Sequence, residues 1–103
     1  MSDTDTHLEL CNPRSADHPV KIFTTPRCGY CMMAKRLLMS RGVGYEEVDV
    51  QGLVEVRAWL VQVSGQRTVP QVFIHGQSIG GFTELNALDR AGRLNELITA
   101  GEP

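Results

Sequence analysis

Two thiols stand one helical turn apart in Cys28-Gly29-Tyr30-Cys31, where a short β-rich run gives way to a helical pattern. The chemistry open to such a pair is thiol–disulfide exchange. The first cysteine falls at the N-cap or first turn of the helix, so unpaired backbone N–H groups and the positive end of the helix dipole face its sulfur. Both favour thiolate: a free thiol of pKa about 8.5 is only about 3% ionised at pH 7, whereas helix-start Cys-X-X-Cys thiols fall to roughly 3.5–7.5. Arg27 adds a neighbouring positive charge. Cys31, a turn further on, loses those contacts and is expected to stay protonated. Roles follow from this asymmetry. Cys28 attacks a disulfide and carries a mixed disulfide, which a second thiol then resolves, either Cys31 or one from solution. No histidine base is placed to help, since His7 and His18 precede the first strand and His75 falls in a turn. A zinc site would need two further ligands. The chain offers only Cys11 and no histidine pair at ligand spacing, so no resident metal is expected.

The elements that must hold this pair can be read on either side of it. Val20-Lys21-Ile22-Phe23-Thr24 is a strand run ended by Thr25-Pro26. Met33, Ala34, Leu37 and Leu38 recur at helical spacing before Gly42, leaving Lys35, Arg36 and Arg41 for the wet side. Residues 45–50 alternate as a second strand. Leu53, Val56, Leu60 and Val63 form the inner stripe of a second helix, with Trp59 as a packing residue and Ser64-Gly65 as its close. Gln71-Val72-Phe73-Ile74 and Gln77-Ser78-Ile79 flank His75-Gly76, a two-residue hairpin signal. After Gly80-Gly81 a helical pattern covers 83–90, and Leu94, Leu97 and Ile98 give a last turn or two. The order β-α-β-α-β-β-α predicts an α/β fold with a central four-stranded mixed sheet flanked by helices. Its first βαβ unit should be parallel and right-handed, and its hairpin antiparallel.

Length and charge bound the rest. The 103 residues give room for one domain with its own core. A net charge of −2 leaves no basic footprint for nucleic acid. No apolar run approaches the roughly 18 residues that cross a bilayer, so no membrane partner is expected. Asp3, Asp5, Glu9 and Asp17 crowd the first nineteen residues, which lack periodicity and include Asn12-Pro13 and His18-Pro19. Residues 1–19 therefore read as a disordered tail carrying an incidental exposed thiol, Cys11, and 20–103 as the domain. Three cysteines with one close pair fit a reducing compartment, and the acidic start lacks a secretory signal; the expectation is the cytoplasm.

Over residues 20–98 the chain resembles the glutaredoxin family. Three motifs carry the resemblance in order: Cys28-Gly29-Tyr30-Cys31, Thr68-Val69-Pro70, and Gly80-Gly81-Phe82-Thr83. The resemblance implies the thioredoxin fold, a cis Pro70, and a Val69 backbone opposite Cys28 along which glutathione lies extended. It implies that Gly81 lets the tripeptide approach, that the N–H groups of Phe82 and Thr83 meet its γ-glutamyl α-carboxylate, and that Tyr30 lines the groove. Thr68 belongs to the same wall, Gln66 looks toward the glycyl carboxylate, and Arg27 and Arg67 are its neighbours. The implied activity is reduction of protein disulfides and glutathione-mixed disulfides by a monomer, with glutathione as electron donor. Its partners would be glutathione and disulfide-bearing or glutathionylated proteins.

Three departures from the family's pattern bear on this reading. Gly29 replaces the proline of many dithiol members, which should loosen the site. It also resembles branches in which two subunits and two glutathiones share a [2Fe-2S] cluster through the first cysteine. A cluster-carrying dimer bridged at Cys28 is thus the alternative function, although Cys31 speaks against it. Thr25 stands where the family has a lysine, so the carboxylate contact that lysine makes is either lost or passed to Arg27. Phe82-Thr83-Glu84 replaces the commoner Cys/Ser-Asp-Asp and looks closer to one group of bacterial dithiol members, leaving the partner of the γ-glutamyl ammonium open. A donor served by a flavin reductase is disfavoured by Gly80-Gly81 and Gln66.

Overall fold

Period-two alternation in β1 (Val20–Thr24) decides how the molecule is layered. Val20 and Ile22 point into one buried cluster and Phe23 into another on the opposite face. The computed structural model describes residues 9–100. Around β1 the elements run α1 (Gly29–Ser40), β2 (Tyr45–Asp49), α2 (Val54–Ser64), β3 (Gln71–Ile74), β4 (Gln77–Gly80), α3 (Phe82–Arg90) and α4 (Leu94–Ala100). The strands form one mixed sheet in the order β2-β1-β3-β4. β1 pairs parallel with β2 and antiparallel with β3, and β4 closes an antiparallel hairpin on β3. This is the expected α/β architecture, the thioredoxin fold.

Each face of the sheet is covered by the helices the chain sends to it. Ala34 and Leu38 of α1, Leu85 of α3, and Leu94 and Ile98 of α4 close over Val20, Ile22, Val72 and Ile74. On the other face Val56 and Leu60 of α2 meet Phe23, Val48, Val50 and Phe73. Trp59 stacks on Phe73 with ring centres 6.0 Å apart, the packing role expected of it. Val63, expected on the inner stripe, is 44% exposed, because Trp59 fills that side instead. Met33 is likewise 46% exposed: the buried face of α1 runs through Cys31, Ala34 and Leu38, one step round the helix from the stripe read in sequence. α1 begins at Gly29, two residues earlier than the apolar pattern suggests.

The hairpin turn has both central residues in the left-handed region, His75 at φ 48° and Gly76 at φ 85°, the geometry that lets a two-residue loop follow the strands' twist. A register shift between Val72 and Phe73 leaves Ile79 as an extra residue in β4. Of the segment read as a disordered tail, residues 1–8 lie outside the described residues. In 9–19, Leu10 and Cys11 pack against the cluster around Phe23 and Phe73, and the Pro19 carbonyl accepts the His75 N–H at 2.9 Å. Cys11 is accordingly half-buried, not exposed, because it helps cover the apolar edge of that cluster.

Candidate active site

Cys28 is the N-cap of α1. Its extended backbone (φ −108°, ψ 109°) turns the sulfur back over the first turn, where the Cys31 N–H donates to Sγ at 3.1 Å. Arg27 immediately before it sits at φ 68°, a left-handed kink that makes the sharp change from strand exit to helix start. Across a gap, the Cys28 thiol donates to the Val69 carbonyl at 3.7 Å. The Val69–Pro70 bond is cis, as the resemblance implied. The two sulfurs differ in setting: Cys28 is half-buried at the surface, whereas Cys31 is 1% exposed. Burial, and then a hydrogen bond with Cys28, push the Cys31 thiol up to about 12, while the Thr25 backbone and Lys35 pull weakly the other way.

From Val69 a groove of about 340 Å³ runs across the end of the sheet. Tyr30, Gln66, Thr68, Val69, Pro70, Gly81, Phe82 and Thr83 line it together, so the groove residues inferred from the sequence meet in one place, with Arg27 and Arg67 outside its lining. One wall is a stacked aromatic pair, Tyr30 on Phe82 at 6.3 Å and 27°. Both other walls belong to one hairpin. Thr68-Val69-Pro70 leads into β3, and Gly81 follows directly on β4. Gly81 approaches the opposite wall closely, since a Cβ there would lie 3.3 Å from the Pro70 carbonyl. Arg27 faces a separate hollow of about 630 Å³ beside the cysteines, shared with Thr25, Gln51 and Arg57.

Three residues of the site escaped the sequence reading. Gln71, fully buried in β3, donates from Nε2 to the carbonyls of Gln66 (3.2 Å) and Thr68 (2.8 Å), and so pins the loop that forms the groove wall. No local pattern reveals this, because a glutamine in a strand looks like an edge residue. Arg57 reaches from α2 to the Arg67 carbonyl at 3.5 Å and puts a second guanidinium beside Arg27. Glu84 lines the groove and returns its carboxylate to the Gly81 N–H at 2.6 Å. Its place three residues after Gly81 is a helix-start spacing that could have been noticed.

No group of three or more His, Cys, Asp or Glu converges among the described residues. Of the cysteine pair, only Cys28 reaches the surface. The described residues of one chain alone therefore do not fit an iron–sulfur cluster.

Comparison with known proteins gives a consistent result. The glutaredoxin family model matches residues 20–79. A glutaredoxin of Pseudomonas aeruginosa is 45% identical over 82 residues, 80% of this chain and 98% of the relative. The crystal structure of wheat glutaredoxin superposes with a TM-score of 0.83 at 31% identity, covering 99% of this chain and 98% of the other. That of a buckwheat glutaredoxin–glutathione complex gives 0.80 at 32%, covering 95% and 87%.

Proposed function

The chain belongs to the glutaredoxin family of thiol–disulfide oxidoreductases, and from that premise we propose that it reduces protein disulfides and glutathione-mixed disulfides with glutathione as electron donor. The observation that carries this reading is the placing of Cys28 Sγ. It lies at the mouth of the groove, between the Cys31 N–H and the Val69 carbonyl.

The geometry supports the following steps. Cys28 attacks one sulfur of a disulfide, a bond forms from Sγ to that sulfur, and the other sulfur leaves as a thiolate that takes a proton. For a glutathione-mixed disulfide the first product is glutathione bonded to Cys28, and a second glutathione attacks that bond to restore the thiol. For a protein disulfide, Cys31 can attack Cys28 and release the reduced substrate, leaving a Cys28–Cys31 disulfide that two glutathiones reduce in turn.

The groove supports a peptide bound like an extra strand against Val69. The first turn of α3 presents the N–H groups of Phe82 and Thr83 to a carboxylate, and Glu84 at its rim can take the γ-glutamyl ammonium. The Tyr30–Phe82 pair walls the cysteinyl part. Beyond the cysteines, Arg27 and Arg57, with Gln66 on the groove side, are placed to take the glycyl carboxylate. That a buckwheat glutaredoxin of this fold was solved as a glutathione complex supports glutathione as the ligand. Three cysteines with one close pair fit a reducing compartment, which we take to be the cytoplasm, and we take the monomer as the working unit.

The test is a coupled assay with glutathione, glutathione reductase and a glutathione-mixed disulfide on protein purified without oxygen. A colourless monomer with glutathione-dependent turnover that vanishes in Cys28→Ser supports the reading. A brown dimer that bleaches on losing glutathione, without turnover, would replace it by cluster carriage.

A further inference from the structure

The cysteine pair has a second side, away from the groove. There a hollow of about 390 Å³ is lined by Cys28 and Cys31 together with Lys35, Glu47 and Asp49. Lys35 follows Cys31 by four residues on α1, the spacing that puts two side chains on one helix face. Its ammonium is tethered: Lys35 Nζ donates to Glu47 Oε2 at 2.9 Å, and the buried Thr24 hydroxyl donates to the same oxygen at 2.7 Å. A lysine otherwise free to wander in solvent is thus held from two strands beside a buried thiol. The steps assigned to Cys28 and the groove do not use this network.

Resting on the function proposed above, we propose that Lys35 is a positioning residue for the resolving step: held by Glu47 and Thr24, it supplies the positive charge opposite which the Cys31 sulfur becomes anionic. Resolution requires that Cys31 give up its proton, form a bond to Cys28 Sγ, and displace the substrate sulfur. The two electrons that reduce the substrate sulfur come from the Cys31 thiolate; the Cys31 proton leaves to solvent through the hollow, and the departing thiolate takes one up from solvent. A buried sulfur resists that charge unless something compensates it.

The charged groups facing the hollow are few. Arg27 comes from the loop before α1, Glu47 and Asp49 from β2, and Lys35 from α1 itself; Cys28 is the other ionisable group on the pair's side. Of the two cations, Lys35 is the one fixed by hydrogen bonds to a strand. Tyr45 of β2 also acts on it. Lys35 and Cys31 influence one another electrostatically in both directions, the ammonium favouring the thiolate and the thiolate favouring the ammonium. The consequence is selective. Lys35 serves the two-thiol branch, whereas attack by external glutathione on the Cys28 mixed disulfide does not need Cys31 to ionise.

The experiment loads Cys28 with glutathione and follows closure of the Cys28–Cys31 disulfide, seen as released glutathione, against pH. Lys35→Met should slow closure by about tenfold near neutrality and move its pH profile upward by about one unit. Lys35→Arg, which keeps the charge, should recover most of the rate, and Glu47→Gln, which loosens the tether, should fall between. In a Cys31→Ser background, where only external glutathione can resolve the mixed disulfide, Lys35→Met should leave the rate unchanged. Closure indifferent to Lys35→Met, or equal slowing of both branches, would overturn the proposal while leaving the function intact. Failure of Cys28 to load at all would overturn both.

Discussion

The Cys31 amide points at the Cys28 sulfur from 3.1 Å, so the second cysteine supports the first through its backbone as well as through its thiol. Replacing the Cys31 side chain leaves that N–H in place. Cys31→Ser should therefore keep reduction of glutathione-mixed disulfides within a few-fold of wild type. The same substitution should strongly impair reduction of protein disulfides by the two-thiol route, and Cys28→Ser should abolish both. Parallel assays on the two substrate types check this; equal loss in the two variants would contradict the roles.

Arg57 lies with Arg27 in the hollow beside the cysteines. If it takes the glycyl carboxylate, Arg57→Ala removes a charge-assisted contact and should raise the KM for glutathione by about tenfold. Turnover at saturating glutathione should hold, and the gap between variant and wild type should narrow as salt screens the remaining charges. A fall in kcat with KM unchanged would place Arg57 outside the binding subsite.

Glu84 does two things that can be separated. Its Oε1 accepts the Gly81 N–H at 2.6 Å, and its charge faces the groove. Glu84→Gln keeps an acceptor but no charge, so KM should rise several-fold with the melting temperature unchanged. Glu84→Ala loses the helix-start bond too and should cost about 0.5–2 kcal/mol of stability. Matching KM values for Glu84→Gln and wild type would remove Glu84 as the ammonium partner.

Gln71 ties two carbonyls of the groove wall from a fully buried position. Gln71→Leu leaves both without that donor, at a cost of about 1–3 kcal/mol. Part of this loss is offset, because Gln71 Oε1 is itself buried without a hydrogen-bond partner. Urea unfolding should show the loss, and KM for glutathione should rise with it as the loop loosens. A variant as stable as wild type with unchanged KM would show that the loop holds its own shape.

The Cys31 thiol gives a pH dependence with a definite sign. Burial first, and the Cys28 hydrogen bond second, raise it from an ordinary 9.0 to about 12. Below pH 9 both folded and unfolded chains keep the proton and the site is neutral in its effect. As pH rises from 9 toward 12 the unfolded chain releases the proton while the folded chain retains it, so stability falls. Chemical denaturation under reductant should show a steeper alkaline decline for wild type than for Cys31→Ser. Parallel curves would mean that Cys31 ionises alike in both states.

Much of this was legible in the sequence, and the reasons differ by residue. The cysteine pair was readable because its spacing and the break from Phe23-Thr24 to helix periodicity are local facts. The His75-Gly76 hairpin was readable because two residues decide its turn. Gln71 was not, since its importance depends on which loop folds back over β3, a contact between segments and not a pattern within one. Arg57 carries no signal of its own in the sequence, because its place in the site depends on the loop at Arg67 coming beside α2. Lys35 read as a wet-face residue of α1, and only the parallel pairing of β1 with β2 brings Glu47 within its reach. Cys11 and Leu10 were misjudged because a short apolar pair carries no periodicity, and its burial depends on the open edge beside Trp59.

Two walls of the groove are the two feet of a single hairpin, β3 and β4, held side by side by that hairpin's ladder. A tripeptide seated between those feet acts as a clasp on a bracelet: it adds bonds where the ladder runs out. Occupancy should then be felt all the way round the loop. Amides at the far bend, beside His75 and Gly76, would exchange with heavy water more slowly in the loaded protein, although nothing bound comes near them.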